Sequence, residues 1–176
     1  VAQFRLHRSL RRTLQAFRAR IDCEIRVDSA FEAVITACAT KERSGQAGTW
    51  IVPEMVEAYK GLNTAGHAHS VETWMGGELV GGLYCVALGR AVFGESMFAH
   101  ATDASKIALA ALVGLCRHHG VEMIDCQQNT RHLASLGASE IPRERFLTHV
   151  EQARRQAGPP WQFDPIYWNE LLPPSA

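Results

Sequence analysis

The sequence has no long apolar run, no paired-cysteine motif and no excess of charge of either sign. Its longest apolar stretch, Ile107 to Cys116, is about half of the roughly 20 residues that a membrane helix needs, and no apolar signal region precedes a cleavage site near Val1. A protein without a membrane span, soluble and cytoplasmic, is expected. The five cysteines (Cys23, Cys38, Cys85, Cys116, Cys126) are odd in number, widely spaced and nowhere Cys-x-x-Cys, which predicts reduced thiols. Eighteen basic residues balance eighteen acidic ones, so the chain is not built to coat nucleic acid, although a local basic face remains open. Neither a Walker-type glycine loop nor an internal repeat is present, and use of ATP is not indicated. An initiator Met is also lacking, and the chain opens on Val1 inside what reads as structure, so a missing upstream part is expected.

What is present is enough for one full-sized core: 176 residues, 47% hydrophobic. Leu6, Leu10, Leu14 and Phe17 recur at helical spacing, which predicts an amphipathic helix over 8–19. Cys23 to Val27 reads as a strand. Asp28 or Ser29 is placed to cap a helix carrying Phe31, Val34, Ile35 and Cys38, which ends in the polar loop Lys41 to Gly48. Pro53 suits the first turn of a helix running to about Ala65.

From His67 the period alternates. Gly76-Gly77 and Leu88-Gly89-Arg90 mark two reversals, giving three antiparallel strands up to Phe98. Thr102 or Asp103 then caps a buried helix that Gly120 ends. A strand from Val121 to Cys126, a short helix from about Thr130 to Leu136, a last helix from Arg143 to Gln156 and an irregular aromatic strap from Pro159 complete the prediction. The class is α/β or α+β, a mostly antiparallel sheet flanked by helices.

Four groups of residues carry possible chemistry. In a regular strand Glu95 and Met97 share one face, a carboxylate beside an apolar surface, although a solvated edge strand explains the same spacing. Asp125 and Gln127 stand at a strand end before a helix start, where general-base work on an amine and simple capping by Asp125 and Asn129 fit equally well. The histidines offer only one recognisable pair, His67 and His69, so no metal site is expected. Cys126 or Cys85 with His69 lacks the activating surroundings of a nucleophilic thiol. Separately, Arg5, Arg8, Arg11, Arg12, Arg18 and Arg20 stand within the first 20 residues with no acid among them, which tilts that helix toward a polyanion partner.

An ordered motif set adds a resemblance. Gly66-His67-Ala68-His69-Ser70-Val71-Glu72-Thr73-Trp74, Leu79-Val80-Gly81-Gly82-Leu83-Tyr84, Gly94-Glu95-Ser96-Met97-Phe98, Asp103-Ala104-Ser105-Lys106, Asp125-Cys126-Gln127 and His132-Leu133-Ala134-Ser135-Leu136-Gly137-Ala138 resemble bacterial leucyl/phenylalanyl-tRNA protein transferases in order and spacing. Thr49-Trp50-Ile51 and Arg8-Ser9-Leu10 extend the match, which reaches about Phe146. The resemblance implies a GNAT-like catalytic domain over 21–158, preceded by a basic helix at 1–20 that ends a truncated N-terminal part and followed by an irregular tail at 159–176.

It also implies an aminoacyltransferase with no cofactor and no metal. Such an enzyme takes Leu, Phe or Met from aminoacyl-tRNA and gives it to proteins starting with Arg or Lys, marking them for degradation by the N-degron pathway. The expected form is a monomer. By resemblance, Asp125 and Gln127 are catalytic, while Leu83, Met97, Leu112, Cys116 and Ile124 wall the aminoacyl pocket. Glu95 lies near the reacting groups, Trp50 and Tyr59 flank the aminoacyl-adenosine end, and Arg8, Arg11 and Arg12 contact tRNA phosphates. The chain departs from the family in lacking the upstream Gly-Ile-Phe-Pro-Trp-like segment, and in carrying Cys85 where glycine is usual. The alternative is an RNA-binding fragment without transfer activity. An acetyl-CoA transferase ranks behind both, because Ala101 to Lys106 replaces the pyrophosphate loop it would need.

Overall fold

The computed structural model describes residues 1–40 and 51–172. Helix α1, Arg8–Ala19, buries Leu10, Leu14 and Phe17 and leaves its arginines outside, as the apolar period predicts. Strand β1, Cys23–Val27, follows, then α2, Phe31–Thr40, and α3, Pro53–Thr64. The loop predicted over Lys41 to Gly48, and Trp50 with it, lies outside the described residues.

Strands β2 (Ala68–Met75), β3 (Glu78–Leu88) and β4 (Ala91–Ala99) form the expected meander. Its first turn needs positive φ at both central positions, which Gly76 (60°) and Gly77 (80°) supply without a Cβ penalty. Helix α4, Ala104–His118, carries the chain back to β5, and α5 (Arg131–Ser135) and α6 (Arg143–Ala153) come next. A 3-10 helix, Pro165–Glu170, closes the described chain. The sheet order is β1-β2-β3-β4-β5, antiparallel throughout except for the parallel β4–β5 pair. With helices on both faces this is an α+β fold.

Two apolar clusters fill the faces. One joins α1, α4 and the C-terminal residues Tyr167, Trp168, Leu171 and Leu172 to Val71, Leu83 and Cys85 of the sheet. The other joins α2, Ile51, Tyr84 and Phe98, with Tyr59 of α3 packed against it. The tail packs into the first cluster, where Trp168 stands edge-on to Phe17 at 6.3 Å. No described helix is long and apolar enough to cross a membrane.

Several boundaries differ from expectation for local reasons. Only Ile124–Asp125 of the predicted Val121 to Cys126 strand pairs with the sheet, because β4 offers it just Val92 and Phe93. The last helix stops at Ala153, whose carbonyl accepts from Arg90 N–H at 2.9 Å and so links it to the β3–β4 turn. Asp28 does not cap α2. Its Oδ1 accepts from Ser70 N–H at 2.8 Å, while Glu72 of β2 takes the α2 end through Ala30 N–H at 2.8 Å and the Ser29 hydroxyl. Asp103 stands before α4 with φ 61° and no side-chain cap; its carboxylate binds Lys106 Nζ at 2.6 Å instead.

Candidate active site

The register of β3 with β4 slips by one residue. Tyr84 faces Ser96 and Cys85 faces Gly94, so Glu95 is the extra residue of a β-bulge. A bulge re-aims the side chain it frees. This breaks the alternation expected of Glu95 and Met97: Met97 packs on the α4 cluster, whereas Glu95 is held by groups from α3 and from the turn after β5.

That turn is built by Asp125. Its Oδ1 accepts the backbone N–H of Gln127 at 2.9 Å, an Asx turn, and Gln127 adopts left-handed φ 59°. Gln127 Nε2 donates to Glu95 Oε1 at 3.2 Å, and the Tyr59 hydroxyl donates to Glu95 Oε2 at 2.9 Å. Tyr59, Glu95, Gln127 and Asp125 thus form one hydrogen-bonded chain. Asp125 and Gln127 meet through the backbone amide, not side chain to side chain.

The capping alternative fails. Thr130 caps α5 by accepting from Leu133 N–H at 3.2 Å, and Asn129 donates to Glu140 Oε1 at 3.2 Å. Burial, together with its bond to the Glu95 carboxylate, raises the Tyr59 pKa well above the ordinary tyrosine value, so Tyr59 is a neutral donor. Its ring packs edge-on against Tyr84 at 5.0 Å.

Beside this chain lies a cleft of about 1040 Å³, lined by Ile124, Asp125, Cys126 and Gln127, with Leu109 and Val113 of α4 on its floor. Residues 1–4 and 136–141 form another side, tied together by Arg5 N–H to the Leu136 carbonyl at 2.8 Å. Such a volume is at the upper end of small-ligand sites, and the lining combines an apolar floor with a few converging polar groups. Of the expected pocket residues Ile124 lines the cleft, whereas Met97, Leu83, Leu112 and Cys116 belong to the adjoining apolar cluster and not to the cleft lining.

Leu109 and Val113 were missed by the sequence reading. Every residue of α4 from Ile107 to Cys116 is buried, so no apolar period in the sequence singles these two out. Arg8, Arg11 and Arg12 are exposed on α1, with only Arg11 anchored, through a 3.5 Å contact to the Leu171 carbonyl.

Cysteine and histidine chemistry find no support in the geometry. Burial raises the Cys126 thiol, with Asp125 adding to it, and burial pushes Cys116 up to about 12 and Cys85 well above its usual range. These three are thiols, not thiolates, near neutrality. His67 is exposed, while His69 is buried with Nδ1 on Asp28 Oδ2 at 2.7 Å and its ring stacked on Trp161 at 4.0 Å.

Comparison with known proteins agrees with the motif set. Residues 1–151 match the family described as leucyl/phenylalanyl-tRNA protein transferase. A leucyl/phenylalanyl-tRNA–protein transferase of a Polaromonas species is 66% identical over 170 residues, 97% of this chain and 67% of that protein. One from Albidiferax ferrireducens is 61% identical over all 176 residues, 69% of its length, and one from Cupriavidus metallidurans is 62% identical over 157 residues, 89% of this chain and 63% of that protein. The chain spans about two thirds of the length of these relatives.

Proposed function

Because the chain belongs to the leucyl/phenylalanyl-tRNA protein transferase family, we propose that it transfers Leu, Phe or Met from aminoacyl-tRNA to the α-amine of proteins starting with Arg or Lys, marking them for degradation. The observation that carries this reading is the hydrogen-bonded chain Tyr59–Glu95–Gln127–Asp125 at the edge of an apolar-floored cleft.

The acceptor nitrogen attacks the ester carbonyl, the new C–N bond forms, and the bond to the terminal ribose oxygen breaks. The ribose oxygen leaves with a proton and the amine loses one. An α-amine has an ordinary pKa of about 7.7 to 8.0, so a useful fraction is neutral at pH 7 and the site needs only a modest base. Gln127 Nε2 is committed to Glu95, which leaves its Oε1 to accept an N–H of the amine. Asp125 Oδ1 is committed to the turn, and Oδ2 is the oxygen available to take the proton. Glu95, with one oxygen on Tyr59 and one on Gln127, supplies the negative charge that a basic acceptor side chain would meet. Leu109, Val113 and Ile124 give the aminoacyl side chain an apolar wall. One methylene is worth only about 1 to 3 kcal/mol in such a pocket, which fits acceptance of Leu, Phe and Met alike.

Asp125→Ala is expected to lower transfer of labelled Phe to an Arg-starting peptide by about a hundredfold or more while tRNA affinity stays within twofold. Unchanged turnover would remove Asp125 from the base role.

A further inference from the structure

The cleft's charged side chains divide into those that touch other protein groups and those that touch none. Among its carboxylates, Glu140 takes the Asn129 amide, Glu170 lies 3.2 Å from His118 Nδ1, Glu122 lies 4.0 Å from His149 Nδ1, and Asp125 holds the Gln127 turn. Among its cations, the Arg117 guanidinium donates to the carbonyls of Glu170, Val1 and Ala2. Arg143 and Arg145 also line the cleft. Both are exposed, and neither side chain has a hydrogen bond or ion pair among the described residues.

Stability does not account for this pair. Both stand in the first turn of α6, at the positive end of the helix dipole, where a cation is disfavoured. Beyond the far end of the same helix the arrangement is the opposite, with Arg154 and Arg155 both paired to Glu151. Glu144, between the two arginines, is not on the cleft lining. The rim therefore presents two free positive charges to whatever occupies the cleft.

We propose that Arg143 and Arg145 bind phosphates of the single-stranded 3′-terminal nucleotides of the donor RNA, as a second anchor distinct from the α1 arginines. This rests on the transferase reading above. A guanidinium has no pairing partner on a basic acceptor N-terminus, whereas the donor must bring its ester to the same cleft with its last phosphates alongside. Two residues apart on a helix, the side chains leave on different sides. They act as two hooks for two phosphates and not as one bidentate clamp. The α1 arginines would position the RNA body, and the α6 arginines would steer its end.

The test compares the protein, R143A/R145A and R143K/R145K for binding of phenylalanyl-tRNA and of the same tRNA lacking its 3′-terminal nucleotides, across a salt series. For intact tRNA the alanine pair is expected to bind severalfold more weakly. Its slope of log affinity against log salt should be shallower by about 1.4, two single-strand phosphates at about 0.7 each. The lysine pair should restore the slope, and the truncated tRNA should bind all three proteins alike. An unchanged slope, or an equal loss with truncated tRNA, overturns the assignment while leaving the transferase reading intact, provided that the unmodified protein transfers. Unaltered RNA binding with a raised KM for the acceptor peptide would instead assign the arginines to the protein substrate. If the unmodified protein binds no tRNA at all, both readings fall together.

Discussion

Gln127 occupies the left-handed region at φ 59°, where a residue with a Cβ is disfavoured by about 1 to 2 kcal/mol. The Asp125 carboxylate offsets part of this by accepting the Gln127 N–H, and the result aims the amide at Glu95. Strain of this kind persists where a side chain must point in a direction that relaxed backbone does not give. Replacing Gln127 by Gly removes both the side chain and the strain, whereas Ala removes only the side chain. Gln127→Gly should therefore be more stable than Gln127→Ala by about 1 kcal/mol, with transfer strongly reduced in both. Urea unfolding of the two variants measures the difference, and equal midpoints would mean that the turn is relaxed as it stands.

At the level of elements, the site is held by contacts between strands and helices that are distant in sequence. Glu72 is the clearest case, a carboxylate fully buried on β2 that accepts from Ala30 N–H, the Ser29 hydroxyl, Ser70 Oγ at 2.7 Å and Trp74 Nε1 at 3.0 Å. It caps α2 from another element and fixes that helix over β3 and β4, beside the bulge that frees Glu95. Glu72→Gln turns one acceptor oxygen into a donor facing donors. Because a lost hydrogen bond to a charged group costs about 1.5 to 3 kcal/mol and an unsatisfied buried group about 1 to 3 kcal/mol, the variant is expected to lose about 3 kcal/mol and to speed amide exchange at the start of α2. A variant within 0.5 kcal/mol of the parent would show that the carboxylate's partners are replaceable.

The same elements mark how far the sequence could be read. Leu10, Leu14 and Phe17 recur every three or four residues, so α1 was legible to the residue, and alternation with paired glycines gave the β2–β3 turn. The bulge at Glu95, the two-residue β5 and the Glu72 cap were not legible. Each depends on which residue of a distant strand stands opposite, and no local period encodes that. Asp125 and Gln127 stayed ambiguous for the same reason, since the spacing serves a helix cap and an Asx turn alike until Thr130 is seen to be the cap.

Across the whole molecule, α1 and the 3-10 helix meet over α4. Trp168 and Phe17 stand edge-on at 6.3 Å, Phe163 packs on Trp168 at 5.3 Å, and the Arg117 guanidinium reaches the carbonyls of both Val1 and Glu170. The approach is close enough that a Cβ on Gly114 of α4 would lie 2.7 Å from the Tyr167 carbonyl oxygen. Hence the tail completes the core that positions Leu109 and Val113 beneath the cleft. Truncating a buried aromatic costs about 3 to 5 kcal/mol, a large share of the roughly 5 to 15 kcal/mol that holds a typical domain together. Trp168→Ala should therefore lower the urea midpoint of the entire chain, with far-UV and near-UV circular dichroism shifting together. Transfer should weaken as well, since α1 and α4 lose the wedge that spaces them. If near-UV dichroism changes while the far-UV midpoint and the transfer rate hold, the tail is an appendage and the cleft stands without it.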